Sequence, residues 1–233
     1  MAKYTAIVLA AGKGSRMGSK VHKQYLMLKG RPVIYYALKA FEDSPVDEIV
    51  LVTGEGEEDF CRKEVAERYG LKKIMHITAG GRERYHSVYS GLKCCEDSDY
   101  VLIHDGARPC VSGELIVRSM ETVSRTGACI AAVPVKDTIK TADARGVVQA
   151  TPDRDSLWSI QTPQAFAYPL IRSAYDRMIT EGAEGITDDA MVVEYYGKEP
   201  VQIFEGSYRN LKITTPEDLQ MAELLMQNGN ERI

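Results

Sequence analysis

The sequence lacks several features that would place it in a special class of protein. None of its uninterrupted apolar runs approaches the roughly 20 residues that cross a bilayer. Its five cysteines are odd in number and have no CxxC spacing, so neither a disulfide framework nor a zinc site is indicated. The formal net charge of −4 is not extreme, and no internal repeat is present. We therefore expect a globular, cytoplasmic protein with no membrane partner.

Acidic residues are missing from one part of this acidic chain. Residues 1–41 contain eight of the 29 Lys and Arg but no Asp or Glu, and the first acid is Glu42. A local excess of cations favours a small anionic ligand bound at one place, since a nucleic-acid partner normally requires a broad basic face. The alternative is a chance run of solvated lysines. We expect that the protein binds a small anionic ligand and that it does not bind nucleic acid.

The apolar residues form short continuous runs, which are typical of strands covered on both faces of a mostly parallel sheet. These runs are residues 6–10, 48–52, 74–78, 100–104, 128–135 and 201–204. Apolar residues spaced by three or four predict helices at 32–41, 57–70, 84–96 and 113–127, and Thr215 and Pro216 begin a last helix. This order predicts an α/β fold, a three-layer, Rossmann-like sandwich, with residues 1–233 as one domain.

One segment interrupts the alternation of strands and helices. Residues 136–166 contain no amphipathic helix, and the turn-prone residues 144–146 separate two stretches that can pair as a β-hairpin. An irregular segment of this length usually serves a function or an interface, although a floppy surface insertion is the alternative. We predict an inserted β-hairpin arm at residues 136–162.

A glycine-rich loop follows the first predicted strand. It lacks the GxxxxGK pattern of a P-loop, and Met17 stands where the dinucleotide fingerprint needs its third glycine. What remains is a set of glycines that expose backbone N–H groups, beside basic side chains. The glycines are Gly12, Gly14 and Gly18, and the cations are Lys13, Arg16, Lys20 and Lys23. The loop therefore predicts a cradle for a polyphosphate.

A polyphosphate brings a divalent metal, and the loop has no carboxylate to bind one. Asp105 is the first acid after the fourth predicted strand, where ligands of parallel sheets collect. We predict Asp105 as the Mg²⁺ ligand, with an ordinary turn aspartate as the alternative.

Eight motifs together resemble the cytidylyltransferase family of the non-mevalonate isoprenoid pathway, in order and over nearly the whole chain. They are LAAGKGSRMG, KQYL, GGRERYHSV, IHDGARPCV, VPVKDTIK, LWSIQTPQAF, ITDDA and EGSYRNLKITTPEDL. The resemblance implies a nucleotidyltransferase fold like that of GT-A glycosyltransferases, Mg²⁺ dependence and a homodimer formed through the arms. The expected substrates are CTP and 2-C-methyl-D-erythritol 4-phosphate.

The same resemblance assigns roles to individual residues. Arg16, Lys23 and Lys212 would stabilise the transition state, and Asp105 would bind metal and substrate. The residues expected around the nucleotide are Ala10, Ala11, Gly12, Gly14, Gly81, Arg84 and Ser87. Thr138 and Arg154 of the arm would reach the sugar phosphate of the neighbouring subunit, with Arg108 and Thr162 nearby.

Three alternatives stay open at this point. A ribitol-5-phosphate cytidylyltransferase shares the fold, but HDGARP and KDTIK favour the methylerythritol enzyme. A GT-A glycosyltransferase normally places a DxD motif at a strand end, where this chain has HDG. A non-catalytic nucleotide-binding regulator would have no reason to keep Arg16, Lys23, Asp105 and Lys212 together.

Overall fold

The computed structural model describes residues 2–12 and 22–227. A seven-stranded sheet forms its centre, in the order β11-β7-β10-β6-β1-β4-β5. Its strands are β1 (Tyr4–Ala10), β4 (Glu48–Thr53), β5 (Ile74–Ala79), β6 (Tyr100–Asp105), β7 (Ala128–Pro134), β10 (Trp158–Ala167) and β11 (Gln202–Glu205). The sheet pairs are parallel except those of β10, which runs antiparallel to β6 and β7. The predicted α/β fold with a mostly parallel sheet is confirmed.

Two helical layers cover the sheet. One contains α1 (Val33–Glu42), α2 (Glu58–Phe60) with its π-helical continuation (Cys61–Glu67), and α4 (Gly113–Thr126). The other contains α3 (Arg84–Leu92), α5 (Tyr168–Glu181), and α6 (Asp189–Val192) with a π-helical turn (Val193–Gly197). Both layers bury apolar side chains against alternate residues of the same strands, as the continuous runs require.

Local signals in the sequence explain where two of these helices begin and end. Ser112 accepts a hydrogen bond from the Leu115 N–H at the start of α4, and Gly127 ends that helix with a φ of 75°. At α7 (Pro216–Gln227), the Asp218 carboxylate accepts hydrogen bonds from the backbone N–H groups of Thr214 and Thr215. The last helix begins at Pro216, as predicted.

The segment that interrupts the alternation contains both a hairpin and a sheet strand. Strands β8 (Thr141–Ala142) and β9 (Val148–Ala150) pair antiparallel outside the central sheet, and form the tip of the arm. Residues 158–162, which the sequence placed in the arm, belong to β10, and the Thr162–Pro163 peptide bond within it is cis. The projecting part therefore ends at Leu157, whose carbonyl accepts a hydrogen bond from Val135 N–H.

Several short elements also lie among the described residues, and one is a short 3₁₀ helix in the arm (Arg154–Ser156). A 3₁₀ turn (Lys23–Tyr25) follows the glycine-rich loop, and β2 (Met27–Leu28) pairs with β3 (Arg31–Pro32). None of the helices in residues 2–12 and 22–227 is long and apolar enough to span a membrane.

Candidate functional site

Two cavities meet at the carboxyl ends of β1 and β6. The loop cavity, of about 810 Å³, lies among the end of β1, the 3₁₀ turn and the start of α3. The β10 cavity, of about 560 Å³, lies among β10, α6 and the far edge of the sheet. Both are lined by Arg84, Asp105 and Lys212. These three side chains form the junction between the cavities.

Glycines allow the backbone to approach closely in the loop cavity. A Cβ at Gly80 would lie 2.5 Å from Ala11 Cβ, and one at Gly81 would lie 2.4 Å from His86 Cβ. The Gly81 N–H donates to the hydroxyl of Ser87, 3.1 Å away. This part of the wall therefore exposes backbone, which can contact a planar ring and hydrogen-bond to its edge.

Lys23 and Lys212 are brought together although the sequence separates them widely. The Lys23 ammonium donates to the carbonyl of Ile213 at 2.9 Å, next to Lys212. The Ile213 N–H donates in turn to the carbonyl of Ala107, two residues after Asp105. These contacts hold the Lys212 segment against both the 3₁₀ turn and the end of β6.

Asp105 is buried and surrounded by three cations. Its carboxylate lies 2.8 Å from Lys212 Nζ, 3.4 Å from Arg84 Nε and 3.8 Å from Arg108 Nε. Burial alone would raise the pKa of this carboxyl, but Arg84, Lys212 and Arg108 together hold the pKa well below its usual range. Asp105 is therefore ionised at any physiological pH, and the three cations around it are groups that a polyanion could also contact.

Arg84 is anchored from the side opposite Asp105. Its two terminal nitrogens donate to the two carboxylate oxygens of Asp189 at 2.8 and 2.7 Å, which leaves Nε for Asp105. Asp189 is fully buried and accepts a further hydrogen bond from the Tyr175 hydroxyl at 2.6 Å. Bidentate pairing of this kind fixes the plane of the guanidinium.

A neutral histidine lies beneath the junction. The carbonyl of Arg108 can only accept, so His104 Nε2, 3.3 Å away, must carry the proton. Its Nδ1 then accepts from the Thr162 hydroxyl at 3.0 Å, and Thr162 Oγ1 accepts from the Asp105 N–H at 3.1 Å. Burial lowers the pKa of His104 to about 4, which agrees with this neutral tautomer.

Most of the described site residues that the sequence predicted line one cavity or the other. The loop cavity takes Ala10, Ala11, Gly12, Lys23, Gly81, Ser87 and the three junction residues, and the β10 cavity adds Arg108 and Thr162. Gly14 and Arg16 lie outside the described residues. Thr138 and Arg154 are exposed on the arm and line neither cavity of their own chain. Their expected contact with a neighbouring subunit stays a prediction.

The sequence reasoning missed the polar residues that support the junction. The motifs ITDDA and LWSIQTPQAF carry the family resemblance, but the sequence alone indicates no role for Asp188, Asp189 or Gln164. The Gln164 side chain accepts from the Asp189 and Ala190 N–H groups and donates to Asp188. Two adjacent acids followed by a short apolar helix were the available signal, because such a pattern places one acid at the cap and the other inside the fold.

Another missed contact lies on the rim of the loop cavity. His22 Nδ1 lies 2.7 Å from Glu57 Oε1, and Glu57 Oε2 accepts from the Tyr25 hydroxyl at 2.9 Å. Glu57 thus joins the 3₁₀ turn that carries Lys23 to the segment after β4.

The described residues fit a magnesium ion only with help from a ligand. Among them, no group of three or more His, Cys, Asp or Glu side chains is arranged to hold a metal. Asp105 supplies one carboxylate at the junction, and within residues 2–12 and 22–227 its Oδ1 has only the 3.4 Å contact to Arg84 Nε. One carboxylate plus substrate phosphate oxygens and water is a common Mg²⁺ environment, so the donor set fits a metal that arrives with a triphosphate.

Comparisons with known proteins point in one direction. The IspD family model, described as 2-C-methyl-D-erythritol 4-phosphate cytidylyltransferase, matches residues 4–228. Proteins of that name from Lachnoclostridium phytofermentans and Lachnospira eligens are 48% and 50% identical, over 100% and 96% of this chain and 100% and 99% of theirs. The crystal structure of 4-diphosphocytidyl-2C-methyl-D-erythritol synthase from Anaerococcus prevotii is similar, with a TM-score of 0.85 and 35% identity over 97% of this chain and 96% of that one. These matches cover nearly the whole chain, so the chain belongs to the IspD family of 2-C-methyl-D-erythritol 4-phosphate cytidylyltransferases.

Proposed function

We propose that this protein transfers the cytidylyl group of CTP to 2-C-methyl-D-erythritol 4-phosphate, giving CDP-methylerythritol and pyrophosphate. One observation carries the assignment beyond family membership. Cations from distant parts of the chain meet Asp105 where two cavities of suitable size join. A reaction between two polyanions needs this kind of place, because the reactants repel each other until their charge is neutralised.

The chemistry requires little beyond positioning and charge. A phosphate oxygen of methylerythritol phosphate attacks the α-phosphorus of CTP, and the bond from that phosphorus to the bridging oxygen of pyrophosphate breaks. The attacking oxygen is already ionised near pH 7, so no strong general base is needed. Catalysis then rests on orientation and on cations placed where charge develops. The neutral, hydrogen-bonded His104 is a supporting residue in this scheme.

We assign CTP to the loop cavity. The backbone around Ala10, Ala11, Gly12 and Gly81, with Ser87, suits the cytosine and ribose. The triphosphate would then extend towards Lys23 and the junction. By the family resemblance, Gly14 and Arg16 belong to the same cradle.

We assign the sugar phosphate to the β10 cavity. Arg108 is buried there, and within the described residues its Nε has no hydrogen-bond partner. Arg108 lines this cavity, and because a guanidinium binds phosphate oxygens through charge-assisted hydrogen bonds, a phosphate is the fitting occupant. Thr162 lies on the same wall, and Lys212 lies between the two substrates.

Magnesium completes the proposal. Asp105 would hold the ion together with phosphate oxygens of CTP, and the ion would neutralise charge on the triphosphate. Lys212 and Arg84 keep Asp105 ionised and oriented for that role.

The arm would complete the site of a second subunit. A homodimer in which each arm contributes to the neighbour's sugar-phosphate pocket would give Thr138 and Arg154 a role, because both are exposed and neither lines the loop cavity or the β10 cavity of its own chain. All five cysteines lie in the described part of the chain and carry free thiols, which supports the expected reducing, cytoplasmic compartment.

The direct test is pyrophosphate release. The protein is incubated with CTP, Mg²⁺ and either 2-C-methyl-D-erythritol 4-phosphate or ribitol 5-phosphate, and both pyrophosphate and the cytidine diphosphate product are quantified. We expect turnover with the first acceptor and little with the second. Equal or preferred use of ribitol 5-phosphate would contradict the assignment.

A further inference from the structure

The segment between β11 and Lys212 contains residues that have no role in the site described above. Gln161 of β10 holds Ser207 at both of its backbone groups: its amide N–H donates to the Ser207 carbonyl at 2.9 Å, and its oxygen accepts from the Ser207 N–H at 3.2 Å. Tyr208, the next residue, is half exposed. This segment is therefore fixed to the sheet beside the base of the arm.

Tyr208 makes two contacts with the base of the arm. Its hydroxyl donates to the carbonyl of Pro134, the last residue of β7, at 2.7 Å. The ammonium of Lys136 lies over the Tyr208 ring, 3.6 Å from the ring centroid, in a cation–π contact. A cation over an aromatic face and a hydrogen bond together hold the chain where it leaves the sheet.

Lys136 continues the connection to the returning strand of the arm. Its carbonyl accepts a hydrogen bond from Arg154 Nη1 at 3.3 Å. Arg154 is the arm residue expected to contact the sugar phosphate of the neighbouring subunit. A continuous path of contacts therefore runs from Tyr208 through Lys136 to Arg154.

We propose that Tyr208 is a positioning residue, which sets the orientation of the arm and of Arg154 and so tunes sugar-phosphate binding in the neighbouring subunit. The inference rests on the proposed function, in which the arm completes a site in a homodimer. Tyr208 itself touches neither cavity. Its effect passes through the arm base and is expressed in another chain.

Single variants give the first readout. Tyr208→Ala removes both contacts, and we expect the KM for methylerythritol phosphate to rise about five- to tenfold, while the KM for CTP changes by less than about twofold. Tyr208→Phe keeps the ring over Lys136 and loses only the hydrogen bond, so its effect should be intermediate. The melting temperature and the KM for CTP report whether the variants fold.

Two lysines of the arm offer a matched pair. Lys136→Met removes the cation over Tyr208, whereas Lys140→Met removes an equal charge that contacts Thr151 in the hairpin. Lys136→Met should raise the KM for methylerythritol phosphate and Lys140→Met should not. Equal effects of the two would mean that general arm charge, rather than the Tyr208 contact, is responsible.

Tyr208 lies close in sequence to Lys212, so an effect within its own subunit must be separated from one through the arm. Heterodimers of a Lys23→Ala chain and an Arg154→Ala chain, purified with two different tags, contain one restored site. That site uses the core of the Arg154→Ala chain and the arm of the Lys23→Ala chain. Tyr208→Ala is then added to one chain at a time.

The inference is tested by which chain of the heterodimer must carry Tyr208→Ala for the KM to rise. We expect Tyr208→Ala to raise the KM of the restored site only when it is in the chain that donates the arm. An effect only in the chain that donates the core, in both chains equally, or in neither would overturn the role of Tyr208 while leaving shared sites intact. Verified heterodimers without recovered activity would instead refute shared sites, and the inference with them.

Discussion

Lys212 is the residue on which the proposed charge balance depends most. Its ammonium lies between the two cavities and 2.8 Å from Asp105, while Lys23 is held at the adjacent carbonyl of Ile213. The Lys212 side chain is partly exposed, and Asp105 keeps two other cationic partners, so loss of Lys212 costs little stability. A cation at the meeting point of two anions, however, lowers the barrier between them.

Replacement of Lys212 by Met should therefore affect turnover more than folding. We expect kcat to fall by about 10²- to 10³-fold with a small change in melting temperature, because Arg84 and Arg108 still pair with Asp105. Steady-state kinetics and thermal unfolding measure the two effects. Lys93→Met, at a lysine that stacks on Tyr89 and lines neither cavity, is the control. A Lys212→Met enzyme with normal kcat would remove this lysine from the mechanism.

His104 gives a pH dependence whose sign is fixed by its burial. Its pKa of about 4 in the folded protein lies below the ordinary value near 6.5, so the unfolded chain binds more protons between these values. Stability is therefore full above about pH 6.5 and is lost as the pH falls towards 4. Asp105, whose folded pKa is also lowered, adds a loss only below its unfolded pKa, near pH 4.

The His104→Gln variant should lose this part of the pH dependence. Urea unfolding between about pH 7.5 and about pH 5 should show the wild-type protein losing about 2 kcal/mol more than the variant, whatever the variant's stability at neutral pH. Glutamine keeps one acceptor and one donor but does not titrate. Identical pH slopes in the two proteins would contradict a neutral, buried His104.

At the scale of elements, the junction depends on how closely α3 approaches the sheet. Arg84 is the first residue of α3, so the position of this helix sets the position of its guanidinium. Gly91, in the last turn, lies directly over the sheet: a Cβ there would be 2.6 Å from Ile7 Cγ2 and 3.0 Å from Val52 Cγ2. A helix with any larger residue at this place must move outwards.

Gly91→Ala should consequently destabilise the protein by about 1–3 kcal/mol, the usual cost of overpacking a core. Gly113, the first residue of α4, is the control because a Cβ there meets nothing within 4 Å. Gly113→Ala should leave stability unchanged or raise it by up to about 1 kcal/mol. Chemical denaturation compares the two, and equal effects would show that α3 is not closely packed on the sheet.

At the scale of the whole molecule, the arm is the feature that a single chain does not explain. The arm and the adjoining first residues of β10 expose several apolar side chains, and exposed apolar side chains in one region often mark an interface. They are Ile139, Val147, Val148, Trp158 and Ile160. A second subunit that covers this surface is the arrangement the proposed function requires.

Val148→Asp should therefore shift the protein towards the monomer, because it places a charge on the apolar surface of the arm. Sedimentation velocity over a range of concentrations measures the shift. Gln149→Asp is the matched control, since successive residues of β9 face opposite sides. Dissociation by both variants, or by neither, would contradict an interface on the Val148 side.

The amino-acid sequence by itself determined most of the strands and the family. Continuous apolar runs such as residues 48–52 and 100–104 are local patterns, and burial on both faces follows directly from them. The motifs around Lys23, Asp105 and Lys212 likewise identify the chemistry without any coordinates. Residues 158–162 were predicted to belong to the arm, but they form the start of β10. No feature of the sequence separates a sheet strand from the hairpin that directly precedes it.

Only the tertiary structure decided which groups meet. The insertion of β10 between β6 and β7 brings Thr162 to Asp105, and the return of the chain after β10 brings Asp189 to Arg84, 105 residues away. Lys23 meets the carbonyl of Ile213 across 190 residues. Side-chain spacing encodes the local face of a helix or strand, whereas these contacts depend on the order and direction of strands in the sheet.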